Sequence, residues 1–160
     1  MTYRRVVTGL DAAGRSCVVI DGLPISLGHG VNDGGGGGYL WRTASVPADN
    51  SGSADIALSP PFSYEWFHDG GSNFMVVEQA PSKDAFMHAT DTIDYVVMLS
   101  GEVTLVLDTG EVKLRAGDFL VDRGVNHGWR NDGPDKAVYA VIALPAHPVG
   151  PGRTMSGRTV

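Results

Sequence analysis

The sequence predicts an all-β domain, a closed barrel or double sheet of about ten short strands, and three observations carry that prediction. Twenty-two glycines and nine prolines are spread through the 160 residues as breaks between short apolar runs. Glu102-Val103-Thr104-Leu105-Val106-Leu107-Asp108 alternates, turns at Thr109-Gly110 and returns over residues 111–115. Almost nowhere does the pattern read as a helix.

Taken in order, residues 3–8, 16–20 and 39–43 read as the first strands, with a turn over 11–14 between the first pair. The uninterrupted run from Gly34 to Gly38 reads as a disordered loop tip. No Gly-Lys-Ser/Thr follows it, which excludes a nucleotide loop of that kind. Residues 53–59 have room for one or two helical turns, stopped by Pro60-Pro61. Residues 62–67 and 73–79 read as strands around the turn His68-Asp69-Gly70-Gly71. Strands over 94–100, 102–108, 111–115, 119–121, 127–130 and 136–144 complete the set. The organisation expected is one domain: N-terminal strands and loops over 1–72, a barrel over 73–145, and a Gly- and Pro-rich tail over 146–160, read as a surface strap or disordered.

Composition narrows the function. Hydrophobic residues make up 42% and charged residues 19%, so the chain can bury a core of its own. Twelve basic against eighteen acidic side chains give a formal charge of −6 with no Lys/Arg block, which argues against nucleic acid as a partner. Cys17 is the single cysteine, excluding an internal disulfide and a Cys-rich zinc site; in its apolar run it reads as a small hydrophobe. No apolar run reaches membrane-spanning length, and the expectation is a cytoplasmic protein with no membrane partner. No Gly-x-Ser-x-Gly elbow supports a serine hydrolase.

The chemistry points to one region. Side chains two apart share a face of a strand, so His88, Thr90, Thr92 and Asp94 point the same way, as do His127 and Trp129 on a later strand. Two imidazoles and a carboxylate inside a barrel make a site for a borderline divalent ion; structural histidines satisfied within the core are the plainer alternative.

His88-Ala89-Thr90-Asp91-Thr92-Ile93-Asp94-Tyr95, with Gly101-Glu102 beyond it, resembles the first conserved motif of the cupin superfamily. That motif runs His-x-His, three or four residues, Glu, six residues, Gly. Gly117-Asp118 through Gly124-Val125-Asn126-His127 to Asn131 is similar to the second motif, which ends Pro-x-Gly-x-x-His-x-x-x-Asn. The resemblance covers about residues 86–144 and looks closest to small single-domain bacterial and fungal cupins with a His-x-Thr-Asp-Thr-x-Asp-Tyr sequence. It implies a double-stranded β-helix, or jelly-roll barrel, with extra N-terminal strands. Three positions depart from the pattern: Thr90 stands where the second His is expected, Asp94 replaces Glu, and Asp122 replaces Pro. The ligand set implied is therefore His88, Asp94 and His127, holding Fe2+, Mn2+, Ni2+ or Zn2+ with open positions for water and substrate.

Around that centre, Thr90 is a candidate catalytic hydroxyl, and Trp129, Met98, Tyr139 and Trp66 are candidate substrate contacts, with core packing as the alternative. Phe62, Tyr64, Trp66 and Phe67 form an aromatic segment suited to a core, a dimer contact or a ligand wall. Asp91 falls on the opposite strand face and reads as solvated; His68 reads as a loop residue, His29 and His147 as surface, and Arg123 and Arg130 as salt-bridge formers. The resemblance implies a metal-dependent enzyme acting on a small, largely apolar organic molecule, of oxygenase, decarboxylase, lyase or isomerase type. The alternatives are metal-free dehydration or cyclisation by acid–base chemistry, and a small-molecule-binding cupin without turnover. A homodimer through N-terminal strands is also expected.

Overall fold

The structure is a computed structural model that describes residues 3–27, 34–52, 54–58 and 63–154. The expectations placed on His29, Phe62 and Pro60-Pro61 lie outside the described residues. Among the described residues there are eleven strands: β1 (Arg5–Leu10), β2 (Ser16–Gly22), β3 (Ile25–Ser26), β4 (Gly36–Arg42), β5 (Asn73–Gln79), β6 (Thr92–Ser100), β7 (Glu102–Leu107), β8 (Gly110–Arg115), β9 (Phe119–Asp122), β10 (His127–Arg130) and β11 (Ala137–Pro145). They build a six-stranded sheet in the order β3-β4-β5-β11-β6-β9, a three-stranded sheet β10-β7-β8, and a separate β1-β2 hairpin. Every pairing among them is antiparallel.

The period-2 pattern decides which face is buried. In β6 the residues from Thr92 to Met98 alternate, with Thr92, Asp94, Val96 and Met98 inside and Tyr95 outside. Met75, Val77, Val96, Met98, Tyr139 and Val141 from the large sheet meet Val103, Leu105 and Leu114 from the small one. That sandwich of two inner faces is the predicted double-sheet barrel. The β1-β2 hairpin carries little of the core and leaves Val6, Leu10, Val18 and Val19 exposed. Cys17, on that hairpin, is a half-buried free thiol.

Two expectations need correction. The glycine run is not a free loop tip: Gly36, Gly37 and Gly38 open β4 and pair with Glu78, Val77 and Val76. Gly37 has φ +138°, and a Cβ there would come within 2.1 Å of the Val76 carbonyl, so only glycine permits this approach of the two strands. The aromatic segment does not extend as a strand. Tyr64–Phe67 is a 3-10 helix, started by Ser63, whose hydroxyl accepts the Glu65 N–H. Of the one or two helical turns expected over 53–59, the described residues hold one, the 3-10 helix Ile56–Leu58. Among the described residues no helix is long and apolar enough to cross a membrane.

The tail is a strap as far as Thr154. Its Ala146 N–H donates to the Asp91 carbonyl, its Arg153 N–H to the Asp91 carboxylate, and its Thr154 N–H to the Ala89 carbonyl. The Ala89 N–H returns a bond to the Thr154 hydroxyl. Asp91, expected to be merely solvated, instead pins the strap to the segment that carries His88.

Candidate functional site

His88 and His127 are brought together by the main chain. They form an isolated antiparallel bridge in which each N–H donates to the other's carbonyl at 2.8 Å. Their rings stand 4.3 Å apart, centroid to centroid. His127 opens β10, held against Leu107 of β7. The loop before it folds back through Gly124, whose N–H donates to Asp122 Oδ1 at 2.9 Å. Gly124 has φ +73°, and a Cβ there would lie 2.2 Å from the Thr90 carbonyl and 2.7 Å from that of Thr92. The two sequence motifs therefore meet backbone to backbone at a position that only glycine fills.

The face expected to hold His88, Thr90, Thr92 and Asp94 turns inward over its last three residues, while His88, on an isolated bridge ahead of β6, is half-buried. Thr90 and Thr92 are buried, and the Thr92 hydroxyl donates to Thr90 Oγ1 at 2.8 Å. Asp94 is buried, and its Oδ1 has no hydrogen-bond partner among the described residues. Across β6 and β9 it stands opposite Asp122. Burial raises the Asp94 carboxyl to about 6, with the Asp122 charge adding to the rise and Thr92 and His127 opposing it.

The two histidines differ in environment. His88 Nδ1 lies 3.0 Å from the Phe86 carbonyl. Burial first, and the neighbouring His127 second, push its pKa down to about 4, so His88 is neutral at physiological pH. His127 Nδ1 lies 2.9 Å from the Val125 carbonyl and 2.9 Å from Asp122 Oδ2. The contact to the carbonyl has hydrogen-bond geometry, while Asp122 Oδ2 meets the ring as a charge and has no hydrogen bond among the described residues. Burial opposes an imidazolium at His127, but Asp122 outweighs it and the pKa is raised. Asp122 in turn is lowered: burial pushes it up, and His127 with the Gly124 and Val125 N–H groups pulls it down further.

An aromatic wall surrounds the pair. Trp129 meets His127 edge-on at 6.0 Å and stacks on Tyr139 at 5.0 Å. Phe86 stacks on His88 at 5.5 Å, and Tyr64 lies 6.5 Å from it. Of the predicted substrate contacts, Trp129 adjoins the histidines and Tyr139 backs it. Met98 packs in the core, and Trp66 sits against Tyr39 under the Arg42 guanidinium. An apolar cavity of about 170 Å3 is lined by Leu105, Leu107, Leu120, Val125 and Asp122, with Val121 and Arg123.

Sequence reasoning missed Asp122 and Phe86 as members of the site, while Tyr64 comes from the aromatic segment read as a core, a dimer contact or a ligand wall. The one available signal for Asp122 was its replacement of the motif's proline. His68 has both ring nitrogens buried without a hydrogen bond among the described residues, and burial with the Arg153 charge lowers its pKa. Arg130 does form salt bridges, pairing both terminal nitrogens with Glu111 and its Nε with Asp132.

A family model described as a cupin domain matches residues 73–143. Phomopsin biosynthesis cluster protein D of Diaporthe leptostromiformis is 39% identical over 81% of this chain and 71% of its own length. The chain belongs to the cupin family. Oryzines biosynthesis cluster protein J of Aspergillus oryzae is 37% identical to this cupin, over 68% of this chain and 64% of its own length. The cupin-domain-containing oxidoreductase srdD of Neurospora crassa is 33% identical over 58% of this chain and 47% of its own length.

Cupins often hold a metal, and the donors of this cupin fit one in kind. Each imidazole has Nδ1 on a protein acceptor, as metal-ligating histidines do, leaving Nε2 as the donor. A buried carboxylate oxygen without a hydrogen bond is the group that a cation would neutralise. Their spacing is less complete: among the described residues no three of His, Cys, Asp or Glu form a group that could hold a metal ion.

Proposed function

We propose that this cupin is an enzyme of secondary metabolism that acts on a small, largely apolar organic molecule at the His88–His127 centre, with a divalent metal as cofactor. The observation that carries the reading is the histidine pair, His127 buried and His88 half-buried among aromatic rings, with both Nδ1 atoms engaged and both Nε2 atoms left as donors. His88 and His127 would hold the ion (Fe2+, Mn2+, Ni2+ or Zn2+), and Asp94 would supply the balancing charge. When bound, such an ion polarises a substrate oxygen or, if it is iron, supports oxidation. The relatives from biosynthesis clusters and the relative named an oxidoreductase support the setting.

The protein's own groups do the remaining work. Trp129, backed by Tyr139, and Phe86 offer flat apolar surfaces for a ring or an unsaturated chain. The Thr90–Thr92 hydroxyl pair lies on the inner face beside Asp94. Asp122 holds His127.

Elemental analysis of untagged protein beside a His127→Ala variant tests the metal. About one ion per chain, lost in the variant, is the expected result. No ion after anaerobic reconstitution would refute it. One observation favours a second reading. His127 carries a carboxylate on Nδ1 while His88 is held neutral, an arrangement in which His127 takes a substrate proton without any metal. Full turnover of chelator-treated protein would select that reading.

A further inference from the structure

We propose that Asp122 is the positioning residue of this centre: it fixes His127 with its proton on Nδ1, so that Nε2 keeps its lone pair for a metal or a substrate proton. The inference rests on His127 being the donor of the proposed site.

Three observations carry it. Asp122 Oδ2 stands 2.9 Å from His127 Nδ1, and both side chains are only 3% exposed, so water does not compete for the contact. The Val125 carbonyl also stands 2.9 Å from the same nitrogen, so two acceptors face it. Asp122 is itself held, because its Oδ1 accepts the Gly124 N–H at 2.9 Å. The family motif has proline here, which offers no acceptor, so the carboxylate is a feature of this chain and not of the scaffold.

The grip on Oδ1 makes the role testable with one isosteric change. An asparagine at this position must keep its carbonyl oxygen on the Gly124 N–H. Its NH2 group then occupies the place of Oδ2 and presents a donor to His127 Nδ1. A donor there drives the imidazole proton to Nε2, the wrong tautomer for ligation or proton uptake. Alanine removes the carboxylate and leaves the Val125 carbonyl alone on Nδ1, so the preference for the Nδ1–H tautomer weakens without reversing. The two variants should therefore diverge, whereas a merely structural residue would make them equally poor.

The experiment is side-chain 15N NMR of histidine-labelled full chain, metal-free, followed by Zn2+ titration against a chromophoric chelator. Wild type is expected as the Nδ1–H tautomer, Asp122→Asn as Nε2–H, and Asp122→Ala as a mixture of the two. Zn2+ affinity in Asp122→Asn is expected to fall about 10–100-fold, and less in Asp122→Ala. A tautomer unchanged from wild type in either variant overturns the proposal. If Asp122→Asn does not fold, a wild-type His127 found as Nε2–H overturns it directly. Failure of the wild type to take up Zn2+ would refute the metal reading of the site, while the tautomer comparison still decides the role of Asp122.

Discussion

Replacing Asp94 by asparagine should make the metal-free protein relatively more stable as pH rises. The carboxyl is buried beside Asp122, and its pKa is raised from the ordinary 3.8 to about 6. For an acid raised on folding, the native state binds the proton more tightly than the unfolded chain. Its contribution to stability is fully present below the unfolded pKa and is lost as pH rises through the folded one. Each pH unit between the two values is worth about 1.4 kcal/mol, so the wild type loses about 3 kcal/mol from this group between roughly pH 4 and pH 6. Asparagine has no charge to desolvate and loses nothing. Urea denaturation of chelator-treated wild type and Asp94→Asn, at about pH 4 and about pH 7.5, measures the change. The stability difference should move by about 3 kcal/mol in favour of the variant at the higher pH, whatever constant offset the amide introduces. A difference that stays fixed across this range would refute the reasoning, because it would mean the carboxylate is solvated or already paired. His88 contributes the opposite slope. Its pKa is lowered to about 4, so stability falls as pH drops from the unfolded value near 6.5 towards 4, and the two groups offset each other in the wild type.

Two further substitutions probe the scaffold. Gly124→Ala should cost about 2–4 kcal/mol, because the position combines φ +73° with the Thr90 and Thr92 carbonyls in the path of a Cβ; an unchanged urea midpoint would refute this. Asp91→Ala removes the carboxylate that accepts the Arg153 N–H. Limited proteolysis read by mass spectrometry should then cut residues 146–154 roughly tenfold faster while the barrel stays intact, and equal cutting rates would show that the strap is held elsewhere.

Much of this arrangement was legible in the residues. The strand over Asn73–Gln79 is legible to the residue, because the apolar core Phe74-Met75-Val76-Val77 lies between the turn-formers Gly70-Gly71-Ser72 and Pro81-Ser82. The common inner face of Thr90, Thr92 and Asp94 followed from strand periodicity alone. What was not legible depends on partners far along the chain. Gly37 reads as flexible until Val76 closes on its backbone, and neither residue carries a local mark of the other. The aromatic run before residue 68 has the composition of a strand. A hydroxyl cap at Ser63, and the Asn73 amide donating to the Trp66 carbonyl, turn it into a 3-10 helix instead. Asp122 looked only like a missing proline, since a carboxylate five positions before a histidine meets its ring only when a turn intervenes.

The main-chain bridge between His88 and His127 has a consequence for how such a site can change. Two reciprocal N–H to carbonyl bonds set the distance between these positions, and neither bond involves an imidazole. Either side chain can then be exchanged while the other stays where it was. Loss of one ring alters the reagent and leaves the vessel standing, so a lineage can trade one chemistry for another here without first having to rebuild the barrel.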